Sequence, residues 1–349
     1  MKPYRNSAAT SSKVQPPALL KRHQIDDQAW NALIERSEYP VIYPYTWYLD
    51  CVSPGWQCLV WPSAQNYEIV MPLPVKKRWG LAVVQQPLFC QYLGLFSESE
   101  LSEEAMAVFL ESLSRHFIYI SSYDFHPRHT PLLRKLTTFH PEFETTNKST
   151  HWLNLKKPYT QLAYGYKKDR KNNLKKSKKY RWDWIESQDA GPLITLFRKN
   201  HAPKIKNVKE SAYQLLSDLA SLVLEKNSGI IRYARIGPEI HAGVMVLEEN
   251  GMGIYIFNAA DAVGRKGNAR TFLLDQYFRE AAGQLRTFDF ESPEVDSISA
   301  FYESFGAEKR AFFSIKKNEL PFPLRQLQNF RRGLMIWRET SLYARSAKP

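Results

Sequence analysis

The sequence predicts an α/β fold with mixed sheets, built as two similar halves. Three observations predict it. In the second half the periodicities run helix, helix, three successive strands, loop and helix, then strand, helix, strand. The first half shows a similar, blurred order. The third observation is size: 349 residues suit two domains, and 44% hydrophobic with 13% aromatic side chains supply a large core and exclude wholesale disorder.

Residues 1–22 are polar, lack an apolar signal core and are expected to be a disordered tail. Trp30, Leu33 and Ile34 then mark one face of a short helix. Residues 56–61 and 67–75 are β-rich, and residues 80–92 continue as extended or loop structure. Ser102 before Glu103 and Glu104 has the chemistry of a helix N-terminus, with Ala105, Val108, Phe109 and Leu113 following at helical spacing. Residues 117–123 read as a strand, 131–136 as a short helix and 143–155 as the closing strand. In the second half Trp182, Trp184 and Ile185 point to a strand. Helices are expected at 190–201 and at 208–226, the latter with a stripe of Ala212, Leu215, Leu219, Leu222 and Val223. Strands follow at 230–236, 240–249 and 252–258, a helix at 270–285, a strand at 286–291, a helix at 294–304 and a strand at 310–316. The domains are therefore expected at 23–157 and 158–318, with a C-terminal extension over 319–349.

The formal net charge is +13, and it is unevenly placed. Residues 156–181 hold 11 basic and one acidic side chain, and residues 319–349 hold six and two. The remainder is close to neutral, which excludes a uniformly basic, histone-like protein. Cys51, Cys58 and Cys90 are odd in number and lack metal spacing, so they read as reduced core thiols of a cytosolic protein. No run approaches the ~20 apolar residues that span a bilayer. His126 and His129 lack a third ligand for a metal, and no Ser-His-Asp or Cys-His arrangement is legible.

Two segments carry candidate chemistry. Gly264, Arg265, Lys266, Gly267, Asn268, Ala269 and Arg270 lie between a strand and a helix. Unpaired N–H groups and the helix dipole make such a junction an anion site, and the cations suit a pyrophosphate. The same pattern also suits a basic turn that caps a helix. The second segment is Phe288-Asp289-Phe290-Glu291-Ser292 followed by Ala300-Phe301-Tyr302-Glu303-Ser304-Phe305-Gly306-Ala307. Strand alternation puts Asp289 and Glu291 opposite Phe288 and Phe290. A carboxylate at a strand end can receive a proton and Tyr302 can donate one. Phe301 and Tyr302 are equally suited to be core aromatics before a glycine helix stop.

Together the two segments resemble the GNAT acyltransferase superfamily. The loop is similar to its [QR]-x-x-G-x-[GA] pattern at Gly267 and Ala269, with Gly264 in place of the first Gln or Arg. FYESFGA is similar to the F-Y-x-x-x-G-[FA] end of the following helix. A basic opening helix and the stretch TFDFES…AFYESFGA further resemble the double-GNAT Fem-like and BioF2-like branch, over about residues 25–318. The resemblance implies a bacterial cytoplasmic transferase with two tandem GNAT-like domains. It implies an acyl-CoA donor, or an aminoacyl-tRNA, held by residues 264–270, and no metal. Glu291 would deprotonate the amine of a small molecule or cell-wall precursor, donors near 256–259 would bind the oxyanion, and Tyr302 would protonate the leaving group.

Residues 156–181 interleave lysines with Tyr159, Tyr164, Tyr166, Tyr180 and Trp182, which suits tRNA, another anionic surface or a plain solvated helix. Leu324, Leu327, Phe330, Leu334 and Trp337 with flanking arginines form a basic amphipathic pattern over 324–338. It suits docking onto the protein or peripheral contact with the inner membrane surface. A non-catalytic nucleic-acid-binding or scaffold protein that retains the fold is the reading from a different class.

Overall fold

A computed structural model describes residues 15–326 and 328, apart from residues 79, 137–139, 205–207 and 293–294. The first half runs through β1 (Ala18–Lys21), α1 (Asp27–Arg36), α2 (Thr46–Val52), β2 (Gln57–Ser63), β3 (Asn66–Leu73), β4 (Val75–Arg78), β5 (Leu81–Gln85) and β6 (Phe96–Ser97). It continues through α3 (Glu103–His116), β7 (Tyr119–Asp124), α4 (Thr130–Leu136) and the long β8 (Glu144–Asn154). The second half holds α5 (Tyr159–Gly165), α6 (Lys168–Ser177), β9 (Asp183–Ser187), α7 (Gly191–Asn200), α8 (Glu210–Glu225), β10 (Gly229–Ile236), β11 (Glu239–Glu249) and β12 (Met252–Ala260). It ends with α9 (Ala262–Lys266), α10 (Ala269–Ala281), β13 (Thr287–Asp289), α11 (Asp296–Glu303) and β14 (Glu308–Asn318).

Local chemistry explains the helix starts. Asp26 caps α1 by accepting from the Ala29 N–H at 3.0 Å, and α1 buries Trp30, Leu33 and Ile34. Ser102 caps α3 in the same way, accepting from Ala105 at 3.1 Å. Two expected stripes are rotated by about one position. Helix α3 buries Met106, Phe109, Leu110 and Leu113, leaving Ala105 and Val108 half-buried. Helix α8 buries Tyr213, Leu216, Leu219, Ala220 and Val223. Its centre lies on the side of the bulky Tyr213, which an aliphatic stripe leaves out. Residues 18–21, expected within the polar tail, pair with β2 as an edge strand. Cys58 and Cys90 are buried thiols and Cys51 is half-buried.

The strands form a four-stranded sheet, β1-β2-β3-β6, and a ten-stranded sheet, β4-β5-β7-β14-β8-β13-β12-β11-β10-β9. In the larger sheet the two halves exchange their last strands. β8, the end of the first half, pairs antiparallel with β13 of the second, with Leu153 opposite Phe288. β14, the end of the second half, pairs antiparallel with β7 of the first, with Ile315 opposite Tyr123. The two exchanged strands pair with each other from Glu308 opposite Trp152 to Lys316 opposite Glu144. β12 and β13 are parallel neighbours for only three residue pairs, Met252–Thr287 to Ile254–Asp289, and then part. A bulge in β12, at Ile256 opposite Met245 and Val246, turns the strand at that point.

Each half thus lacks a strand that the other half's end supplies. Residues 15–157 and 158–318 expressed separately are expected to lack a cooperative thermal transition. Mixing them should restore one, as followed by near-ultraviolet circular dichroism.

Candidate functional site

β13 is hydrogen-bonded on both sides, and Phe288 and Asp289, which point to opposite faces of the sheet, are both buried. Asp289 is therefore an acid in the core, with 0% of its surface exposed. Its charge is met by donors from both halves. Oδ2 accepts from Tyr92 Oη at 2.7 Å and from Trp152 Nε1 at 2.8 Å. Oδ1 accepts from Thr150 Oγ1 and from the Glu291 N–H at 2.9 Å. Burial still pushes its carboxyl above the usual range.

The bond from its own N–H to Asp289 holds Glu291 at φ +45°, in the left-handed region that costs a side-chain-bearing residue on the order of 1–2 kcal/mol. Glu291 therefore sits in a turn, not on the strand face that alternation predicts. Its carboxyl accepts a hydrogen bond from Tyr43 Oη. Burial, reinforced by the nearby charge of Asp289 and opposed by Tyr43, pushes it up to about 8. A carboxyl in that range can hold or release a proton near neutral pH.

Tyr302 reaches the same region from α11. Its ring stacks on Phe290 at 4.4 Å and meets Tyr255 edge-on at 6.3 Å. Burial raises its hydroxyl above the usual value, with the Arg270 charge opposing, so it stays a proton donor. The structure thus brings Glu291 and Tyr302 to one neighbourhood where β12 and β13 part. Tyr43, Tyr92, Thr150 and Trp152 complete it, and no local sequence pattern marks them. They lie 137 to 248 residues from the carboxylates they bind.

A cavity of about 510 Å³ borders Glu291 and is also lined by Gln91, Asp124, Lys148 and Ser292. Two of its lining residues carry buried oxygens without a donor, Gln91 Oε1 and Asp124 Oδ1. The other Asp124 oxygen accepts from Lys148 Nζ at 2.7 Å. A larger groove of about 680 Å³ lies between α1, β3 and α3 and shares no residue with the carboxylate cluster.

The expected anion loop is built differently from its prediction. Residues 262–266 are a helical turn capped by Asp261, which accepts from the Gly264 N–H at 2.7 Å. The N–H groups of Arg265, Gly267 and Asn268 bond to Asp261, Val263 and Arg265 carbonyls. A Cβ on Gly264 would overlap the His241 carbonyl, and one on Gly267 would overlap Trp182 and lie 2.8 Å from Tyr180 Cδ1. Both glycines serve packing, where close approach of a phosphate was expected. Arg265 donates to Ala260 O at 2.6 Å and Arg270 to Asn258 Oδ1 at 2.7 Å. Ala269 is the first residue of α10, and Lys266 is exposed beside it.

The basic segment ends against this turn. Tyr180 and Trp182 stack at 5.5 Å and cover Gly267, and Trp182 Nε1 donates to Gly267 O at 2.9 Å. Lys168, Lys171, Lys175, Lys176, Lys178 and Lys179 are exposed. Arg170 is the exception: its side chain is buried, with Nε on Ser304 Oγ at 2.8 Å and Nη1 on Thr271 Oγ1 at 2.5 Å. Its guanidinium lies over Phe301 at 4.1 Å, and burial lowers its pKa to about 10. The aromatics expected to stack on bases mostly face inward. Tyr166 and Trp182 are buried and Tyr159 bonds Asp275 at 2.8 Å, leaving Tyr164 as the fully exposed ring at 85%.

A family model of the acetyltransferase (GNAT) domain matches residues 165–294. Those residues are a GNAT domain. No curated protein matches the chain in sequence. Among solved structures, the crystal structure of FemX shares the fold with a TM-score of 0.63 at 12% identity, over 87% of this chain and 98% of that one. A tandem GNAT protein from the clavulanic acid biosynthesis pathway shares it with a TM-score of 0.52 at 10% identity, over 87% and 99%. The L-PGS structure from Bacillus licheniformis does so with a TM-score of 0.50 at 10% identity, over 89% and 97%. The whole chain therefore has a tandem GNAT fold, and the parting of β12 from β13 lies within the residues that the family model matches. Among the described residues no helix is long and apolar enough to cross a membrane.

The folded chain holds a proton on Glu291 that the unfolded chain has released between pH 4.5 and about 8. Stability should therefore fall as pH rises through that window, and Glu291→Gln should flatten the fall in urea unfolding. Gly264→Ala should cost about 1–3 kcal/mol by the same assay because the His241 carbonyl must move. Gly165→Ala, which meets nothing within 4 Å, should be neutral or slightly stabilising.

Proposed function

We propose that this chain is an N-acyltransferase that moves an acyl group from a phosphate-bearing donor to an amine by direct attack. The observation that carries the reading is the position of Glu291 in a GNAT domain. It is a half-buried residue whose carboxyl is pushed up to about 8, just past the end of β13 where β12 departs, and it borders a cavity. Glu291 takes the proton of the attacking amine. The donorless oxygens of Gln91 and Asp124 suit the N–H groups of such an acceptor. The edge of β12 beyond Ile254, which β13 no longer covers, offers N–H groups to the oxyanion. Tyr302 returns a proton to the leaving group.

Acyl-CoA is the donor the reading adopts. Its phosphates would meet the α10 N-terminus at Ala269 and Arg270, the side chain of Lys266, and Arg265. Gly264, Gly267 and Asn268 support that turn from within. Aminoacyl-tRNA is a second donor reading, favoured by one observation: the exposed lysines of α6 extend well beyond what one coenzyme's phosphates require. Residues 156–181 would then carry the tRNA backbone. The candidate peripheral membrane segment over 324–338 lies outside the described residues, except for 324–326 and 328.

The test pairs acetyl-CoA with a panel of primary amines. Saturable thermal stabilisation by acyl-CoA is expected through linkage, weakening as salt rises. The rate kcat/KM should climb with pH through about 8. Glu291→Gln should lower it by about 10²–10⁴-fold, and Tyr302→Phe should lower it on thioester donors. If Gly267→Glu and Tyr302→Phe change nothing, while charge reversal at Lys175, Lys176, Lys178 and Lys179 abolishes nucleic-acid binding, the chain is a binding protein and the transferase reading fails.

A further inference from the structure

A second chemical device borders the same cavity and plays no part in direct attack. His151 lies on β8 and is fully buried. Its Nδ1 is 2.6 Å from Ser292 Oγ, and its Nε2 is 3.6 Å from Glu303 Oε1. Nε2 is buried and has no hydrogen-bond partner. Burial lowers the imidazole pKa, so near neutral pH the ring carries one N–H. Glu303 is held below the usual carboxyl range by the hydrogen bond from Lys167 at 3.1 Å and is therefore an anion. An anion beside Nε2 favours the tautomer with the proton there. Nδ1 is then a free base, and the Ser292 hydroxyl donates to it. Ser292 lines the cavity beside Glu291, and its backbone is held by Thr150 Oγ1 on its N–H at 3.5 Å and Gln91 Nε2 on its carbonyl at 3.4 Å.

A nucleophile on a base, with the base facing an acid, is the arrangement that activates a serine. We infer that Ser292, His151 and Glu303 form an acyl-accepting relay, in which Ser292 Oγ takes the acyl group as an ester before the amine receives it. The inference rests on the acyl-transfer reading for its donor and differs from it in route. In the first step the Ser292 O–H proton passes to His151 Nδ1 as Oγ bonds to the thioester carbonyl carbon. The C–S bond then breaks and the departing sulfur takes the proton back from His151, giving acyl-serine and free thiol. In the second step the amine nitrogen bonds to the ester carbon and its proton passes to His151 Nδ1. The C–Oγ bond breaks and Oγ recovers that proton. Glu303 touches neither substrate nor Oγ; it is a positioning residue that fixes the tautomer of His151.

The experiment uses the full chain, first without amine and then with the panel of primary amines, and two probes: p-nitrophenyl acetate and acetyl-CoA. The expected result is a burst of one p-nitrophenolate per chain and an acetyl group on the peptide that holds Ser292. Ser292→Ala should abolish burst and adduct while retaining the wild-type melting temperature, and Ser292→Cys should restore an adduct. His151→Gln should slow the burst by about a hundredfold or more. Glu303→Gln should slow it and move its acid limb to lower pH, since the Glu303 charge raises the imidazole pKa. An adduct that persists in Ser292→Ala, or none in folded wild-type protein with either probe, overturns the relay. Continued amine acylation without an adduct overturns the relay alone. An adduct on Ser292 with no amine acylated overturns the transferase reading and leaves the relay.

Discussion

The hydrogen-bonded pairing of β8 with β13 governs the rest of the molecule. It carries a strand of the first half into the sheet of the second and seals β13 on the side away from β12. Asp289 on that central strand is covered by Tyr92 and Trp152 and loses its water, and a buried carboxyl demands hydrogen-bond donors. β8 itself brings two of them, Thr150 and Trp152, and the first half adds Tyr92. The same pairing places Glu291 against Tyr43 and puts His151 beside Ser292. The chemistry of the seam is thus a consequence of where one strand goes.

The order of elements was legible because long apolar periodicities survive any arrangement of the halves. The helices of 103–116 and 210–225 and the strands of 229–260 fall where their patterns put them. Cap chemistry located the α3 start at Ser102. The strand exchange was not legible, since the residues of β8 and β14 read as strands whichever neighbour they choose. The candidate site is partly legible: Glu291 and Tyr302 stand out in the sequence by position at a strand end and a helix end. The tyrosines and tryptophan that bond Glu291 and Asp289 are single aromatic residues in unremarkable contexts, and contact across more than a hundred residues leaves no local trace. The Ser292–His151–Glu303 cluster was missed for the same reason: its members come from β8, the turn after β13 and α11.

The basic segment and the turn after β12 were read as separate features, and the fold joins them. Tyr180 and Trp182 pack on Gly267, so the lysines of α6 and the cations near α10 form one neighbourhood. Arg170 reinforces the joint by bonding Thr271 of α10 and Ser304 at the end of α11. A guanidinium there ties the basic helix to the helix that carries Tyr302. Lysine would lose the fork that reaches two hydroxyls at once.

The exchanged strands also bear on how the chain is made. During synthesis β7 emerges long before β14, so the first half waits with an unpaired strand edge while the whole second half is translated. An edge of that kind invites pairing with another chain. β8 meanwhile waits for β13. The order of emergence therefore delays closure of both halves to nearly the same moment, when residues 308–318 leave the ribosome. A tandem fold that could have matured one domain at a time is committed to maturing as a whole.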